Sequence, residues 1–245
     1  MLKGIDVSHH QGAIDWKKVK ADFALIRAGY GKYAWQEDPY LEANIQGAAA
    51  RNIPIGVYWY SYADTIAEAK QEAEVCLTVI NPYKDKIVLP VFFDQEYEPA
   101  IKAASYQVRT QCCVEFIRAV EAAGYRAGMY ASKNWLDNRI DAGALPESCT
   151  VWVAQYSNKC TYKGRYTIWQ YTSNGKVDGI KGRVDLNQAD DDLIAPTADG
   201  WQKIAGKWYW YEDGKPVTNA WRKVTGESGV AYWYYLGKGG VMLKG

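Results

Sequence analysis

Ile87-Val88-Leu89-Pro90-Val91-Phe92-Phe93-Asp94-Gln95-Glu96 is the stretch of sequence that decides the fold. Its first seven residues are apolar, with branched and aromatic side chains, which is typical of a buried strand and too short for a membrane span. Side chains alternate along a strand, so Asp94 and Glu96 point to the same side. Such a strand ending in two acids indicates a site at its tip, although two acids are also common at a solvated strand end.

Asp94 and Glu96 have the chemistry that cleavage of a glycosidic bond requires. Two carboxylates that lie close together repel each other when both are ionised, so one of them keeps its proton to a higher pH. A protonated acid beside an ionised one is the arrangement that glycosidases use. By itself this run fits a glycosidase site and a solvated strand end equally well, and acids elsewhere in the chain must decide between them.

Short apolar strands alternate with helical patterns along most of the chain. The predicted strands are Leu2–Val7, Ala24–Ala28, Ile55–Tyr60, Ile87–Asp94, Ala127–Tyr130, Thr150–Gln155, Tyr166–Tyr171 and Gly179–Leu186. The predicted helical stretches are Trp16–Lys20, Tyr40–Arg51, Ile66–Ile80, Tyr106–Ala123 and Lys133–Arg139. This order predicts an α/β fold, an irregular (β/α)8-type parallel barrel that degenerates toward its end.

Acids recur at the ends of these predicted strands. Asp6 ends the first strand, Asp94 and Glu96 end the fourth, and Asp185 lies at the end of the eighth. Catalytic groups of such barrels gather at the carboxyl ends of different strands. Because the first and eighth strands become neighbours when a barrel closes, we expect Asp6 and Asp185 to lie close together. A random scatter of acids would not favour strand ends so consistently.

The composition changes at Ala195-Pro196-Thr197-Ala198-Asp199, which we interpret as a linker between a catalytic domain (1–194) and a small module (200–245). The module holds ten aromatic residues in 46 and repeats itself. Gly200-Trp201-Gln202-Lys203 is echoed by Ala220-Trp221-Arg222-Lys223 after 20 residues. Each copy predicts an aromatic β-hairpin with a glycine turn, the kind of short repeat that buries its core only by stacking.

Charge and composition exclude several classes of function. The net charge is +1, without the polybasic signature of a nucleic-acid-binding protein. No apolar run is long enough for membrane insertion. Met1-Leu2-Lys3 leads directly into a strand, so no signal peptide is expected. Nothing indicates a metal or an organic cofactor, because the adjacent His9 and His10 lack further ligands at suitable spacing and are expected to line the loop after the first strand.

Three separated motifs together resemble the signatures of glycoside hydrolase family 25, the lysozymes of bacterial and phage muramidase type. They are Gly4-Ile5-Asp6-Val7-Ser8 with Gln11-Gly12, Phe92-Phe93-Asp94-Gln95-Glu96, and Val184-Asp185-Leu186-Asn187. Phe23–Ala28 and Ile53–Tyr58 support the resemblance, which covers residues 2 to about 193. The 200–245 module resembles cell-wall-binding repeats of the choline-binding type, a less specific match. Tyr58-Trp59-Tyr60 departs from the aromatic-His-Phe run of many family members, and Gln95 replaces an aliphatic residue.

The resemblance implies hydrolysis of the β-1,4 bond between N-acetylmuramic acid and N-acetylglucosamine in bacterial peptidoglycan, either outside the cell or after release as a phage-type endolysin. We interpret Glu96 as the general acid and Asp94 as the ionised group that stabilises the transition state or orients the 2-acetamido group. Asp6 and Asp185 then place a water or hold sugar hydroxyls; the alternative for both is a structural role at a strand end. Sequence leaves the stereochemistry open, and we favour substrate assistance.

Aromatic residues provide further candidate contacts. Near the strand tips, the candidates for stacking on sugar faces are Tyr30, Tyr60, Tyr62, Trp152 and Trp169. In the module, the candidates for wall binding are Trp201, Trp208, Trp221, Trp233 and Tyr235, with choline or another wall polymer as the ligand. Barrel packing and a hairpin core are the respective alternatives.

Two other functions fit part of this sequence. A barrel that has lost catalysis would make the whole chain a wall-binding or lectin-like protein, but the complete set of acids argues against this. An enzyme acting on chitin or another acetamido-sugar polymer would keep the acids and change only the substrate.

Overall fold

The computed structural model describes residues 1–194, 199–204, 207–212, 215–225 and 229–243. The chain divides into two compact units, Met1–Leu193 and Ile194–Gly245. Residues 195–198 of the expected linker lie outside the described residues. Within the described ranges, none of the helices combines the length and apolar character that a membrane span requires.

The first unit is built on a closed barrel of eight strands that are neighbours in chain order. The strands are β1 (Leu2–Val7), β2 (Phe23–Tyr30), β3 (Ile55–Tyr60), β4 (Ile87–Asp94), β5 (Ala127–Ser132), β6 (Thr150–Ala154), β7 (Ile168–Gly175) and β8 (Val184–Ala189). Consecutive strands from β1 to β7 pair in parallel. The predicted eight-stranded α/β barrel is confirmed.

Helices follow the second to fifth strands. They are α1 (Leu41–Ala49), α2 (Ile66–Ile80), α3 (Pro99–Ala103), α4 (Tyr106–Ala122) and α5 (Lys133–Asn138). The predicted starts of α2 and α4 are confirmed, because the Thr65 side chain accepts a hydrogen bond from Glu68 N and the Ser105 side chain accepts one from Val108 N. The apolar faces of these helices form one continuous core with the strands.

The eighth strand is antiparallel to both of its neighbours, so the prediction of a parallel strand over Gly179–Leu186 is wrong. Gly179 and Gly182 have φ of +94° and +83°, values that interrupt a strand. β8 therefore begins only at Val184, and eight residues connect it to the end of β7. A parallel crossover needs a connection of about a dozen residues or more, so a connection this short makes the chain turn back.

The predicted helix over Trp16–Lys20 is also wrong, since this segment contains only a turn. Lys18 N donates to Asp15 O over 3.0 Å, and Asp15 N donates to Gly179 O over 2.8 Å. The Trp16 indole is buried against Gly47 of α1, where a Cβ atom would lie 2.1 Å from the ring. Anchoring of the indole and of Asp15 holds this segment as a turn.

The second unit contains two small antiparallel sheets. The first comprises β9 (Gly200–Ile204), β10 (Lys207–Glu212) and β11 (Lys215–Pro216), and the second comprises β12 (Ala220–Thr225), β13 (Ala231–Leu236) and β14 (Met242–Leu243). The predicted aromatic hairpins are therefore confirmed as β9–β10 and β12–β13. The expected turn at Asp213-Gly214 and most of Gly226–Gly229 lie outside the described residues.

Candidate active site

Four acidic side chains lie at one end of the barrel. Asp6 is near the end of β1, Asp94 is the last residue of β4, and Glu96 follows two residues later. Asp185 is directly opposite Asp6 in the register between β1 and β8. Because β8 runs in the reverse direction, its beginning lies at the barrel end where the parallel strands finish. The expected proximity of Asp6 and Asp185 is confirmed, through a strand direction that the sequence did not indicate.

Two amide side chains hold the Asp6 carboxylate. Asn187 Nδ2 donates to Asp6 Oδ2 over 2.7 Å, and Gln170 Nε2 lies 3.2 and 3.1 Å from the two Asp6 oxygens. Trp152 Nε1 donates to Asn187 Oδ1 over 2.8 Å, and the hydroxyls of Tyr156 and Tyr130 lie 3.2 and 3.0 Å from Gln170 Oε1. These donors occupy the amide oxygens, so both amides present their nitrogens to Asp6.

Asp6 and Asp185 form a coupled carboxyl pair. Burial raises the pKa of Asp6 well above its usual value, and the Asp185 charge raises it further, while hydrogen bonds from Asn187 and Gln170 oppose the shift. Burial also raises the pKa of Asp185, and the hydrogen bond from Asp6 partly opposes that shift. Both pKa values are raised, so the pair holds a proton to higher pH than an exposed carboxyl does.

Asp94 and Glu96 form a second coupled pair. Asp94 is 3% exposed, and burial raises its pKa well above the usual value, followed in size by the Glu96 charge. Burial is also the main cause of the raised pKa of Glu96, with Asp185 next, whereas a hydrogen bond with Tyr130 opposes it. The sequence predicts that the Asp94 charge raises the pKa of Glu96 and that Asp94 stays ionised. In the structure, burial is the largest cause of the raised pKa of both carboxyls, and both therefore hold their protons more tightly.

Arg27 is a cation beside this pair that the sequence analysis did not assign. It lies on β2, half-buried, with its guanidinium 5.0 Å from the Tyr30 ring centroid and 5.3 Å from that of Tyr60. Its charge lowers the pKa of both Asp94 and Glu96, against the effect of burial. A charged residue inside the apolar run Phe23–Ala28 was the available sequence signal.

Three of the predicted aromatic residues cluster at the carboxyl ends of β2 and β3. Tyr62 makes edge contacts with Tyr30 and Tyr60, with ring centroids 6.0 and 5.3 Å apart. Tyr60 OH donates to Glu98 Oε1 over 2.7 Å. On α2, the buried Glu72 accepts a hydrogen bond from Tyr62 N over 2.9 Å, and burial raises its pKa to about 7. The tyrosines are thus held in place by two further acids.

The other two predicted stacking residues lie elsewhere. Trp152 is 1% exposed inside the barrel, 4.4 Å from the Tyr130 ring, so it supports the floor of the site and presents no open face to a sugar. Trp169 alternates with the inward-facing Gln170 and points outward, where its Nε1 donates to Gln155 O. Strand alternation decides both positions, but which of the two faces of each strand points into the barrel is set by the barrel register.

A cleft adjoins Glu96 on the side of β5 and β6. Its lining residues are Glu96, Tyr97, Tyr130, Ser132, Trp135, Ala154 and Tyr156. The exposed Tyr156 ring also donates its hydroxyl to Gln170 Oε1 over 3.2 Å. Tyr97, Tyr130 and Tyr156 were not singled out from sequence, because their positions depend on loops that follow different strands.

The two histidines lie in the loop after the first strand, as predicted, and Gln95 lies outside the acid pair. Gln95 points away from Asp94 and Glu96, and its Oε1 lies 3.5 Å from Cys113 Sγ on α4. His9 and His10 belong to a short turn of helix just after β1, and His9 Nδ1 lies 2.8 Å from Asp38 Oδ2.

The second unit carries the same residue pattern on one face of each hairpin. Trp201 is opposite Trp210 and Lys203 is opposite Trp208 in the first hairpin. In the second hairpin, Trp221 is opposite Tyr235 and Lys223 is opposite Trp233. Of the five predicted wall-binding residues, Trp208, Trp221 and Trp233 are exposed, whereas Trp201 and Tyr235 are half-buried.

Comparison with known families identifies the barrel. The sequence model of the family "Glycosyl hydrolases family 25" matches residues 5–180. This range contains Asp6, Asp94 and Glu96, and Asp185 lies five residues beyond its end.

Individual relatives are similar over about three quarters of the chain. Lysozyme M1 of Streptomyces globisporus is 28% identical over 201 residues, which are 76% of this chain and 67% of the relative. The lysozyme of Streptococcus phage Cp-1 is also 28% identical over 201 residues, 76% of this chain and 56% of the relative. The chain thus matches between about half and two thirds of the length of these proteins.

Solved structures show the same barrel. The modular autolysin LytC from Streptococcus pneumoniae is 30% identical with a TM-score of 0.66, over 76% of this chain and 46% of that one. A family 25 glycosyl hydrolase from Bacillus anthracis is 25% identical with a TM-score of 0.67, over 78% of this chain and 91% of that one.

Proposed function

The chain belongs to glycosyl hydrolase family 25 and is therefore a glycoside hydrolase, and we propose that it acts as a lysozyme on bacterial peptidoglycan. The bond cleaved is the β-1,4 link between N-acetylmuramic acid and N-acetylglucosamine. The observation that carries the proposal is the convergence of Asp6, Asp94, Glu96 and Asp185 at one end of the barrel. Relatives that are named lysozymes support the choice of substrate.

Glu96 acts as the general acid. It is half-buried at the edge of the cleft, so its carboxyl can reach the oxygen of a bound glycosidic bond. Burial and the Asp185 charge raise its pKa, which keeps the proton available for transfer. The Tyr130 hydroxyl contacts the same carboxyl and orients it.

Asp94 acts on the sugar and not on the leaving group. Its Oδ1 is buried, and no donor within the described residues hydrogen-bonds to it. This oxygen is suited to accept the N–H of the 2-acetamido group and to hold its carbonyl toward the anomeric carbon. As the glycosidic bond breaks and positive charge develops on the sugar, an ionised Asp94 becomes more favourable. Glu96 then delivers its proton to the leaving oxygen.

Asp6 and Asp185 hold the water or the sugar hydroxyls on the other side of the site. Two amides fix Asp6, so its position does not depend on substrate. Asp185 is half-exposed and faces the site, which makes it the group that contacts water or a hydroxyl directly. Asp6 then serves as the positioning residue of the pair.

Stacking of sugar rings falls to Tyr30, Tyr60 and Tyr62. Tyr62 is the most open of the three, with 44% of its surface exposed. The aromatic edge contacts among these rings and the Tyr60–Glu98 hydrogen bond hold them rigid, which lowers the entropic cost of binding a sugar. The Arg27 guanidinium packs on the rings of Tyr30 and Tyr60.

The second unit targets the enzyme to the cell wall. Its repeats resemble choline-binding repeats, and exposed aromatic residues recur at equivalent positions of both hairpins. The ligand is choline or another wall polymer. Exposed indoles on a small unit are costly in water unless they bind something, and the repetition of the same face in both hairpins supports a binding role.

A comparison of substrates tests the catalytic proposal. Purified peptidoglycan and chitin are incubated with the full chain, and released reducing ends are counted for the wild type and for Glu96→Gln. Release from peptidoglycan alone supports the lysozyme, and release from chitin alone supports the second substrate class. No release from either by the folded wild type would leave a non-catalytic wall-binding protein.

A further inference from the structure

The repeated face of each hairpin consists of two different halves. One half is an aromatic pair, Trp201–Trp210 or Trp221–Tyr235, and the other half pairs a lysine with a tryptophan across the strands. The lysine–tryptophan pairs are Lys203–Trp208 and Lys223–Trp233. Because each pair is directly opposite in an antiparallel register, both side chains lie on the same face.

Among the described residues, the first hairpin contacts the second sheet through its aromatic half and, on its other face, through a bridge between Tyr209 and Val241. The Trp201 ring lies 5.3 Å from Trp210 and 4.8 Å from Tyr234 of the other hairpin, both edge-on. Beside them, Glu212 and Arg222 form an ion pair of 2.7 Å between the two sheets. The aromatic half of the first hairpin is therefore the stacking surface of the repeats.

The lysine–tryptophan half stays on the surface even where a neighbouring hairpin is present. Lys203 is exposed and Trp208 is 41% exposed, with its ring edge-on to Trp201 at 6.3 Å, whereas Trp201 and Trp210 are half-buried. In the second hairpin, Lys223 is exposed and Trp233 is 62% exposed. Stacking between the hairpins therefore does not explain why the same exposed lysine–tryptophan pair recurs in both copies.

The charge at these pairs selects the chemistry of a ligand. Lys203 Nζ lies 5.7 Å from the centroid of the Trp208 ring, so a cation already occupies the region where a quaternary ammonium would bind. Residues 200–245 carry seven Lys/Arg and three Asp/Glu, a net charge of +4. Arg222 pairs with Glu212, the acid nearest in sequence to Trp208 on the same strand face. An anion is favoured beside these rings, and a cation is not.

We propose that Lys203–Trp208 and Lys223–Trp233 are two equivalent sites for a phosphate-bearing polysaccharide of the cell wall. The inference rests on the proposed wall-binding role of the second unit. The indole face stacks on a sugar ring, and the lysine ammonium pairs with the adjacent phosphate. The lysine ammonium is a compact charge that can pair with a tetrahedral phosphate from many directions. A planar carboxylate is matched better by the planar guanidinium of arginine.

A binding assay on the full chain tests this proposal. All variants carry Glu96→Gln, so the walls stay intact during the measurement. Binding to purified walls is measured by sedimentation, before and after cold hydrofluoric acid removes polymers linked through phosphodiesters. We expect saturable binding to untreated walls, weakened by the acid treatment and by added salt. Unchanged binding to treated walls would overturn the proposal.

Paired charge variants locate the site. Lys203→Gln with Lys223→Gln should weaken binding about fivefold, since each exposed charge contact contributes a factor of roughly two to three. The control, Lys207→Gln with Lys238→Gln, removes the same charge from exposed lysines that are not opposite a tryptophan. Equal weakening by both variants would reduce the effect to net charge and would contradict two specific sites.

Added choline tests the competing ligand, which is a quaternary ammonium group. If millimolar choline releases the protein from untreated walls, and the Lys203/Lys223 variant binds as the wild type does, the aromatic rings bind a quaternary ammonium and the phosphate proposal is wrong. Absence of any wall binding would overturn the wall-binding role together with this inference. Hydrolysis of soluble glycan fragments is a separate assay, so a failure of the lysozyme proposal is distinguishable from either result.

Discussion

Asn187 Nδ2 donates a 2.7 Å hydrogen bond to Asp6 Oδ2, across the register between the first and last strands of the barrel. Asn187 is itself fixed by the buried indole N–H of Trp152. The bond joins the strand that begins the barrel to the strand that closes it. It thus links closure of the fold to the position of one of the four acids.

Replacement of Asn187 by Asp should damage the site more than the fold. The substitution keeps the shape but removes the donor to Asp6 and adds a third carboxylate, so the Asp6–Asp185 pair should hold its proton to higher pH. We expect kcat to fall at least tenfold with little change in KM, and the unfolding free energy to fall by about 1–3 kcal/mol. Asn174→Asp, on the exposed end of β7, is the control. Equal kinetic constants for both variants would show that Asn187 does not contribute to catalysis.

Glu96→Gln should abolish turnover while the protein stays folded and bound to walls. The amide has the same shape but cannot deliver a proton, and such a transfer contributes roughly 10²–10⁴-fold in rate. Reducing ends released from peptidoglycan measure the loss. Glu147→Gln, an exposed acid outside the site, should retain full activity. Near-normal lysis by the Glu96 variant would mean that another group is the acid.

Asp94→Asn should lower activity and also move the pH profile. Asp94 and Glu96 titrate as a pair, and repulsion between them makes the last proton leave at higher pH. With one carboxyl removed, that proton leaves earlier, so the alkaline limb of residual activity should move to lower pH. The profile of kcat/KM between pH 4 and 9 measures this. An unmoved alkaline limb would show that the two carboxyls are not coupled.

Glu72 should make stability depend on pH. Burial raises its pKa to about 7 in the folded protein, above its unfolded value, so the folded state binds the proton more tightly. Its contribution is fully present below the unfolded pKa and is lost as pH rises through about 7. The loss amounts to roughly 3 kcal/mol. Glu72→Gln keeps an acceptor for Tyr62 N and should flatten this part of the curve. Denaturant unfolding at pH 5 and pH 8 makes the comparison; an equally steep decline in the variant would assign it to another group.

Residues 1–195 expressed alone should fold and cleave soluble glycan fragments. All four acids and every barrel strand precede residue 195. Intact walls should be a poorer substrate for this fragment, because tethering raises the local enzyme concentration without changing the site. Circular dichroism and the two activity assays test both statements. Equal activity of fragment and full chain on whole walls would deny the second unit a targeting role.

Much of the site was readable from sequence because its signals are local. Apolar runs that end in acids identify Asp6, Asp94 and Glu96, since alternation along a strand and the gathering of strand ends are general properties of barrels. The strand–helix order predicted the barrel, and the repeat at 201 and 221 predicted the hairpins. Each of these conclusions needed only residues that are close together in the chain.

Tertiary structure alone decided the direction of β8, the amides that hold Asp6, and the aromatic residues that can contact a sugar. The reversal of β8 depends on two glycines with positive φ and a short connection, and it brings Asp185 to the right end of the barrel. Gln170, Tyr130 and Asn187 lie on three different strands, and only barrel closure brings them together. Trp152 and Trp169 look alike in sequence, yet one is inside the barrel and the other outside. Strand register determines these faces, and it is a long-range property that no local pattern contains.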